Sequence, residues 1–195
     1  MAKAVWNNPY VRWHYVDGDY SLTPHAFITS GGAMELRNEF MALQKRDHVI
    51  VCGLGQVGVA ITRDLLQQGV PVVAVDPAAT DEDHRELNLQ CPLVAGDTTK
   101  PQILRRAGIE NARAIVICTS HDALNLEIGL TAQTTADEKR ARYLRVVLRC
   151  FNYDLANRIQ QISSDYILLS EAKITAPVFT SMAMQNGHTA KNFNS

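Results

Sequence analysis

The sequence from residue 48 onward predicts an α/β fold, a Rossmann-like doubly wound parallel sheet of six strands in the order 3-2-1-4-5-6 with helices on both faces. Short apolar runs alternate with segments of helical periodicity. The runs are apolar without interruption, as expected for strands that are covered by helices on both sides. A glycine-rich turn joins the first run to the first helical segment, which is typical of this fold.

The predicted elements follow one another along the chain in the order that such a sheet requires. Strands are predicted at His48–Cys52, 72–75, 91–94, 114–118, 144–150 and Tyr166–Leu169. Helices are predicted between them at about 56–68, 81–89, 101–107, 123–134 and 154–162. A final helix is predicted at Glu171–Met184, and the candidates for its buried side are Ala172, Ile174, Val178 and Met182.

Residues 1–46 differ in character from the rest of the chain. They contain both tryptophans, Trp6 and Trp13, among turn-forming residues, and they end in a predicted helix at 34–45. We expect an aromatic N-terminal extension and linker helix that either packs on the domain or docks on another chain. We expect residues 47–186 to form the Rossmann-like domain, and residues 187–195 to form a polar, disordered tail.

Composition excludes several classes of protein. The formal net charge is −1, and no cluster of Lys and Arg would follow a phosphate backbone, so no nucleic-acid partner is expected. No apolar run has the length of a membrane span, and no signal-peptide pattern is present, which favours a soluble, cytoplasmic protein. The four cysteines, Cys52, Cys91, Cys118 and Cys150, form no C-x-x-C pair, and we expect buried, reduced thiols.

The turn after the first predicted strand has the composition of a phosphate-binding loop. Residues 53–58 read G-L-G-Q-V-G, which places Gly53, Gly55 and Gly58 in the spacing G-x-G-x-x-G. The first glycine permits a sharp turn, the second lets a pyrophosphate approach the backbone, and the third lets the helix pack on the strand. Backbone N–H groups and the helix dipole favour negative charge there. The sequence therefore predicts a bound nucleotide.

Asp76 ends the second predicted strand, about twenty residues beyond the glycine turn. A carboxylate at this place can accept hydrogen bonds from the ribose 2′- and 3′-hydroxyls, and it would repel a 2′-phosphate. NAD(H) or an adenine nucleotide (ATP, ADP or AMP) is therefore favoured over NADP. The alternative is that Asp76 is an ordinary turn residue ahead of Pro77.

The residues outside the six-strand domain bear on whether the protein is an enzyme. A dehydrogenase needs further structure to hold a substrate over the nicotinamide and to supply an acid or base. The N-terminal segment contains no evident catalytic constellation. A non-enzymatic sensor is favoured. A small NAD-dependent oxidoreductase and a scaffold that docks proteins through Trp6 and Trp13 are the alternatives.

Several further motifs lie between residues 46 and 171. They are G-D-T at 96–98, R-A-G-I at 106–109, T-S-H-D at 119–122 followed by N-L at 125–126, and V-V-L-R at 146–149. Together with the glycine turn and Asp76, they resemble the N-terminal half of RCK/KTN domains, the TrkA-N family that regulates potassium channels and transporters. The resemblance covers about two thirds of the chain, and the helix before the first strand resembles the linker helix of such channels.

The resemblance implies a cytosolic module at the inner face of the membrane that forms a homodimer or a higher ring. Binding of NAD(H) or an adenine nucleotide would change the geometry of the paired domains and so regulate a potassium channel or transporter. The glycines with the amides of Gln56 and Val57 would hold phosphates, and Asp76 the ribose. The further residues that the resemblance assigns are Asp97 and Thr98 on the adenine side, Thr119 and Ser120 near the fourth strand, and Arg149 toward the phosphates or the dimer partner.

Structural roles stay open for these further residues. Asp97 could cap the helix after it, Thr119 and Ser120 could cap the helix near Asp122, and Arg149 could pair with an acid at the sheet edge. The chain also departs from the family pattern. The smaller C-terminal half is absent, so calcium sensing is not expected, and the upstream sequence is not a pore helix, so any channel would be a separate chain or lie outside this sequence.

Overall fold

The structure is a computed structural model of the 195-residue chain, and it describes residues 14–16, 19–21, 30–78, 91–136, 143–162 and 165–184. The predicted helix at 81–89, both tryptophans and the predicted tail at 187–195 lie outside the described residues.

The described elements alternate between strands and helices. The first part of the chain contains β1 (His14–Val16), β2 (Asp19–Ser21), α1 (Ser30–Gln44), β3 (His48–Cys52), α2 (Gln56–Gln67), β4 (Val72–Asp76) and β5 (Leu93–Ala95). The second part contains α3 (Pro101–Arg106), a 3₁₀ turn (Ile109–Asn111), β6 (Ala112–Ile117), α4 (Asp122–Thr135), β7 (Arg145–Arg149), α5 (Tyr153–Ile162), β8 (Tyr166–Leu169) and α6 (Glu171–Met184).

The main sheet has six parallel strands in the order β5-β4-β3-β6-β7-β8, and this confirms the predicted 3-2-1-4-5-6 topology. Ile50 of β3 pairs with Val73 of β4 on one side and with Ile115 of β6 on the other. The chain leaves β3 toward β5 and then returns to the opposite side at β6. Ligands of such sheets bind at this reversal point, outside the carboxyl ends of the strands.

Alternate residues of β3, β4, β5 and β6 enter two separate apolar layers, one on each face of the sheet. Ile50 packs in the layer that contains Ile128 of α4, whereas Val51 packs in the layer that contains Val57 and Ile61 of α2. Helices therefore cover both faces, as predicted. The burial of both alternating sets explains why the strands read as unbroken apolar runs.

Helix α1 confirms the helix predicted before the first strand, although it begins earlier, at Ser30. Its Ala42 is fully buried, and its Glu39 forms an ion pair with Arg106 at the end of α3. Gly108 has a φ of +74°, and a Cβ there would lie 3.0 Å from the Ala42 carbonyl oxygen. Helix α1 is thus a packed part of the domain.

The prediction of a buried side for α6 is wrong. Ala172 is exposed, and Ile174, Val178 and Met182 are 54%, 55% and 41% exposed. Helix α6 follows β8, the edge strand, and its residues from Ala172 to Met184 are all exposed, so the helix does not bury its apolar side chains on the described sheet.

Candidate functional site

The glycine turn rests directly on the ends of β3 and β6. Gly53 has a φ of +91°, a conformation that favours glycine, and a Cβ there would lie 3.2 Å from the Thr119 nitrogen. A Cβ on Gly58 would lie 1.8 Å from the Gly53 carbonyl oxygen. Both glycines are therefore required for the first turn of α2 to pack against the strand ends.

Gly55 has a different role, because the space around it is open. It is the N-cap residue of α2, with a φ of −64° and a ψ of −177°, so any residue could adopt its backbone conformation. No atom lies within 4 Å of the position that a Cβ on Gly55 would take. The first N–H groups of a helix lack intrahelical acceptors, and Gly55 has no side chain to cap them. This open helix end fits an anionic phosphate.

Asp76, the last residue of β4, points toward the glycine turn. Its Oδ2 atom accepts a hydrogen bond from the Leu54 backbone N–H at 2.7 Å, and its Oδ1 atom accepts one from the Ala78 N–H at 2.8 Å. A carboxylate has about four acceptor positions, so each oxygen can accept a further hydrogen bond. Asp76 is therefore both a turn residue and a half-buried carboxylate beside the open end of α2, which fits a ribose.

Cys118 contacts the backbone of the glycine turn. Its Sγ atom lies 3.3 Å from the carbonyl oxygens of both Cys52 and Gly53. Burial raises the pKa of the Cys118 thiol to about 11, although the positive charge of Arg149 opposes this rise. Burial also raises the pKa of the Cys52 thiol well above its usual range. All four cysteines are free and buried, as predicted, and these two are neutral at physiological pH.

Asn125 of α4 joins the ends of β6 and β7. Its Oδ1 atom accepts hydrogen bonds from the Thr119 N–H at 3.0 Å and from the Thr119 hydroxyl at 2.6 Å. Its Nδ2 group donates to the carbonyl oxygens of Thr119, at 3.3 Å, and Arg149, at 3.0 Å. Asn125 is 1% exposed. Both donors of Thr119 are therefore engaged within the protein.

The neighbours of Thr119 are also hydrogen-bonded. The Thr119 hydroxyl oxygen accepts from the N–H of His121, the N-cap residue of α4, at 3.4 Å. The exposed Ser120 hydroxyl lies 2.9 Å from His121 Nδ1. Asp122 accepts hydrogen bonds from the backbone N–H groups of Phe151 and Asn152. Burial raises the pKa of Asp122, but these hydrogen bonds lower it, and the net result is a pKa below its usual range. This network fixes the β6–α4 and β7–α5 loops together.

Arg149, the last residue of β7, forms an ion pair with Glu171, the first residue of α6, with 2.6 Å between Nη2 and Oε1. Its guanidinium carbon lies 4.1 Å from the centre of the Phe151 ring. Arg149 thus pairs with an acid at the carboxyl edge of the sheet, and its contact with a phosphate stays a prediction.

Asp97 and Thr98 follow β5. Asp97 Oδ1 accepts hydrogen bonds from the Thr99 N–H at 2.9 Å and hydroxyl at 2.7 Å, and these bonds lower the pKa of Asp97. Asp97 therefore closes the turn ahead of α3, whose N-cap residue is Lys100. Thr98 is only 5% exposed. Contacts of Asp97 and Thr98 with an adenine stay predictions.

The sequence assigned no role to three of the residues that organise this edge. Asn125 belongs to a recognised motif, and a polar residue one turn inside an apolar helix is a signal of a buried hydrogen-bonding role. Cys118 carries no such signal. Glu171 is an acid in the first turn of a predicted helix, which by itself indicates only a favourable helix start.

The described residues contain no group of three or more His, Cys, Asp or Glu side chains that could hold a metal ion. Among the described helices, none has both the length and the hydropathy that crossing a bilayer requires.

The TrkA-N domain family matches residues 49–170 of the chain. Three curated relatives are potassium transport proteins. The chain is 26% identical to a probable potassium channel protein 2 of Methanocaldococcus jannaschii (55% of this chain and 34% of that protein), and 24% identical to the voltage-gated potassium channel Kch of Escherichia coli (75% and 38%). It is 26% identical to the Trk system potassium uptake protein TrkA of Haemophilus influenzae (74% and 32%). The chain thus spans about a third of the length of these relatives.

Solved structures share the fold. The TrkA-N domain of the inner membrane protein ybaL from Escherichia coli has a TM-score of 0.60 at 18% identity, over 71% of this chain and 98% of that one. The GsuK channel bound to NAD has a TM-score of 0.56 at 16% identity, over 69% of this chain and 23% of that one. GsuK bound to ADP has a TM-score of 0.55 at 22% identity, over 77% of this chain and 38% of that one.

Proposed function

The chain belongs to the TrkA-N domain family, and we propose that it is a regulatory domain that binds NAD(H) or an adenine nucleotide (ATP, ADP or AMP). In this proposal the bound nucleotide regulates potassium transport through a partner membrane protein or a membrane part outside this sequence. The chain itself catalyses no reaction.

The observation that carries the proposal is the placement of Asp76 beside the open helix end at Gly55. The diphosphate lies against the N–H groups of Gly55, Gln56 and Val57, where no side chain occupies the space. Asp76, which is already oriented by the Leu54 N–H, accepts hydrogen bonds from the ribose hydroxyls. A phosphate at a helix N-terminus with a carboxylate on the ribose is the usual arrangement for a nucleotide in such a sheet.

The structural neighbours support both ligand classes, since GsuK is bound to NAD in one structure and to ADP in another. Asp76 favours NAD over NADP because its carboxylate would repel a 2′-phosphate. The potassium part of the proposal is supported by the relatives, which are potassium channel and Trk uptake proteins. A partner of this kind would hold the domain at the inner face of the membrane.

A second copy of the chain is the proposed occupant of the apolar surface of α6, a helix whose residues from Ala172 to Met184 are all exposed. This helix presents Ile174, Val178, Phe179 and Met184 with more than half of each side chain exposed. It also borders an open groove of about 740 Å³ that includes Tyr153 of α5 and Pro177. An exposed apolar patch of this kind marks an interaction surface, and a homodimer buries the same patch on both copies.

Calorimetric titration of the protein with NAD, NADH, ADP, ATP and AMP tests the nucleotide part. We expect at least one of them to bind, and NADP to bind more weakly than NAD. Absence of binding by all five at millimolar concentration would contradict the proposal, and hydride transfer from bound NADH to a dye acceptor would favour the oxidoreductase alternative.

Light scattering on a sizing column tests the dimer. Phe179→Asp places a charge on the exposed face of α6, and we expect it to shift the protein to the monomer. Tyr143→Asp is the matched control, because Tyr143 is exposed to a similar degree, 77% against 74%, outside α6. A dimer that survives Phe179→Asp would contradict the assignment of α6.

A further inference from the structure

One peptide unit of the glycine turn, that between Gly53 and Leu54, is held from two sides. The Gly53 carbonyl oxygen lies 3.3 Å from the Cys118 sulfur, and the Leu54 N–H donates to the Asp76 carboxylate at 2.7 Å. The unit is a planar trans peptide, so its C=O and N–H groups point in opposite directions. The side chain that follows β6 and the side chain that ends β4 therefore contact opposite edges of the same plane.

The Cys118 thiol is a hydrogen-bond donor to this turn. Burial raises the pKa of the thiol to about 11, so the sulfur keeps its proton at physiological pH. The sulfur lies 3.3 Å from the carbonyl oxygens of both Cys52 and Gly53, and the Cys52 oxygen also accepts the Cys118 backbone N–H at 2.9 Å. Loss of the thiol would therefore leave Cys52 with a backbone donor and take a donor from Gly53.

The Gly53 carbonyl lies in a crowded place. A Cβ on Gly58 would lie 1.8 Å from the Gly53 oxygen and 3.1 Å from the Cys118 sulfur, so the oxygen, the sulfur and the backbone of α2 pack closely together. The Gly53 N–H is fixed as well, because it donates to the Val75 carbonyl oxygen at 2.9 Å. The N–H side of Gly53 is thus held by β4, and the orientation of the next peptide plane depends on Cys118 and Asp76.

The orientation of this plane affects the carboxylate that we assign to the ribose. The Leu54 N–H holds the Oδ2 atom of Asp76, and the Ala78 N–H holds the Oδ1 atom. If the plane turned, the Leu54 N–H would leave Oδ2, and the carboxylate would be left with the bond from Ala78. A carboxylate held through one oxygen samples more orientations, and ordering it when a ligand binds costs affinity.

We propose that Cys118 is a positioning residue of the nucleotide site, which holds the Gly53 carbonyl and so keeps the Leu54 N–H directed at the ribose-binding carboxylate of Asp76. The inference rests on the proposed function, because it requires a ribose on Asp76. Cys118 is only 4% exposed. Its effect therefore reaches the ligand through the Gly53–Leu54 peptide and not by direct contact.

Amide NMR of the ligand-free protein tests the contact itself. In Cys118→Ala the hydrogen bond of the Leu54 N–H should weaken, and we expect its proton resonance to move upfield and its exchange with solvent to become faster. Cys150→Ala is the matched control. Cys150 is 2% exposed, and its sulfur likewise lies 3.3 Å from a carbonyl oxygen, that of Asn152 in the loop after β7. This control should leave the Leu54 resonance unchanged.

Calorimetric titration with ADP tests the consequence for binding. We expect Cys118→Ala to bind ADP about three-fold more weakly than the wild type, the scale of one weak hydrogen bond, and Cys150→Ala to bind it normally. Cys118→Ser keeps a donor and should bind ADP more tightly than Cys118→Ala. The analogue 2′,3′-dideoxy-ADP offers Asp76 no hydroxyl, so the wild type and Cys118→Ala should bind it equally.

A double-mutant cycle separates positioning from a general effect on the fold. If Cys118 acts through Asp76, then Cys118→Ala adds little to the loss of ADP affinity already caused by Asp76→Ala. If Cys118 only stabilises the domain, the two losses multiply.

Several results would overturn the role of Cys118 while leaving nucleotide binding intact. They are an unchanged Leu54 amide in Cys118→Ala, wild-type affinity of this variant for ADP, the same loss in Cys150→Ala, and losses that multiply in the cycle. If the wild type binds neither ADP nor any other nucleotide, the proposed function fails and the inference fails with it.

Discussion

The carboxylate of Asp76 accepts a hydrogen bond from the Leu54 backbone N–H at 2.7 Å, and so it ties the end of β4 to the glycine turn that follows β3. The two residues are 22 positions apart in the sequence. This contact orients the carboxylate beside the open helix end before any ligand is present, which lowers the cost of ordering the site on binding.

Replacement of Asp76 by alanine should weaken nucleotide binding. The variant loses the carboxylate that accepts from the ribose, and hydrogen bonds to a charged group contribute about 1.5–3 kcal/mol, or about ten-fold or more in affinity. Calorimetry with NAD and ADP measures the loss. Asp64→Ala, an exposed position on α2, is the control and should bind normally. Undiminished affinity in Asp76→Ala would remove the ribose assignment.

Gly55→Ala should fold normally and bind nucleotide poorly. Nothing lies within 4 Å of the new Cβ, and the backbone conformation suits alanine, so unfolding free energy should change by less than about 1 kcal/mol. The methyl group, however, enters the space assigned to the diphosphate. Urea denaturation and calorimetry separate the two effects, and wild-type affinity would show that no phosphate lies there.

Gly58→Ala should give the opposite result. Its Cβ would lie 1.8 Å from the Gly53 carbonyl oxygen, which is backbone and has little freedom to move. We expect a loss of about 3 kcal/mol in unfolding free energy, because overpacking strains the helix against the strand. Stability equal to that of Gly55→Ala would contradict the close packing of α2 on β3.

Asn125→Ala should destabilise the domain by about 2–4 kcal/mol. It leaves the Thr119 N–H and hydroxyl without their acceptor and the Arg149 carbonyl oxygen without its donor, in a place that is 99% shielded from solvent. Urea denaturation measures the change. The exposed Glu127→Ala on the same helix should lose well under 1 kcal/mol. Similar curves for both variants would show that the strand ends do not depend on Asn125.

Stability should fall as the pH rises from about 9 to about 11 because of Cys118. Burial raises the pKa of this thiol from 9.0 to about 11, so over this range the unfolded chain releases the proton while the folded protein retains it. Unfolding is then favoured with rising pH, by about 2–3 kcal/mol for a shift of this size. Unfolding free energies across this range, compared between the wild type and Cys118→Ala, measure the contribution. A parallel pH dependence in both proteins would exclude it.

The sheet could be predicted because its causes are local in the sequence. The runs around Ile50, Val73 and Ile115 have apolar side chains on both faces of the strand. Both sets of side chains are buried only when helices cover both faces of the sheet. The spacing between the glycine turn and Asp76 is visible in the sequence. The two lie close together because β3 and β4 are adjacent parallel strands. Residues 1–13, 17–18 and 22–29 and the predicted helix at 81–89 lie outside the described residues, so the predictions made for them are not tested.

The remainder of the site depends on contacts between distant side chains. Whether Arg149 reaches a phosphate or an acid depends on where β8 places Glu171, 22 residues later, and periodicity does not carry this information. For α6, apolar composition predicted a buried side, but the helix follows an edge strand, and its residues from Ala172 to Met184 are all exposed in a single chain. Apolar composition alone does not distinguish burial in the fold from burial against another copy.

The most direct test of the central claim is a crystal structure of the protein with ADP. We predict the diphosphate within hydrogen-bonding distance of the backbone nitrogens of Gly55 and Val57, with the ribose hydroxyls on the Asp76 carboxylate. ADP bound elsewhere, with the glycine turn free of phosphate and Asp76 bonded only to Leu54 and Ala78, would contradict the account.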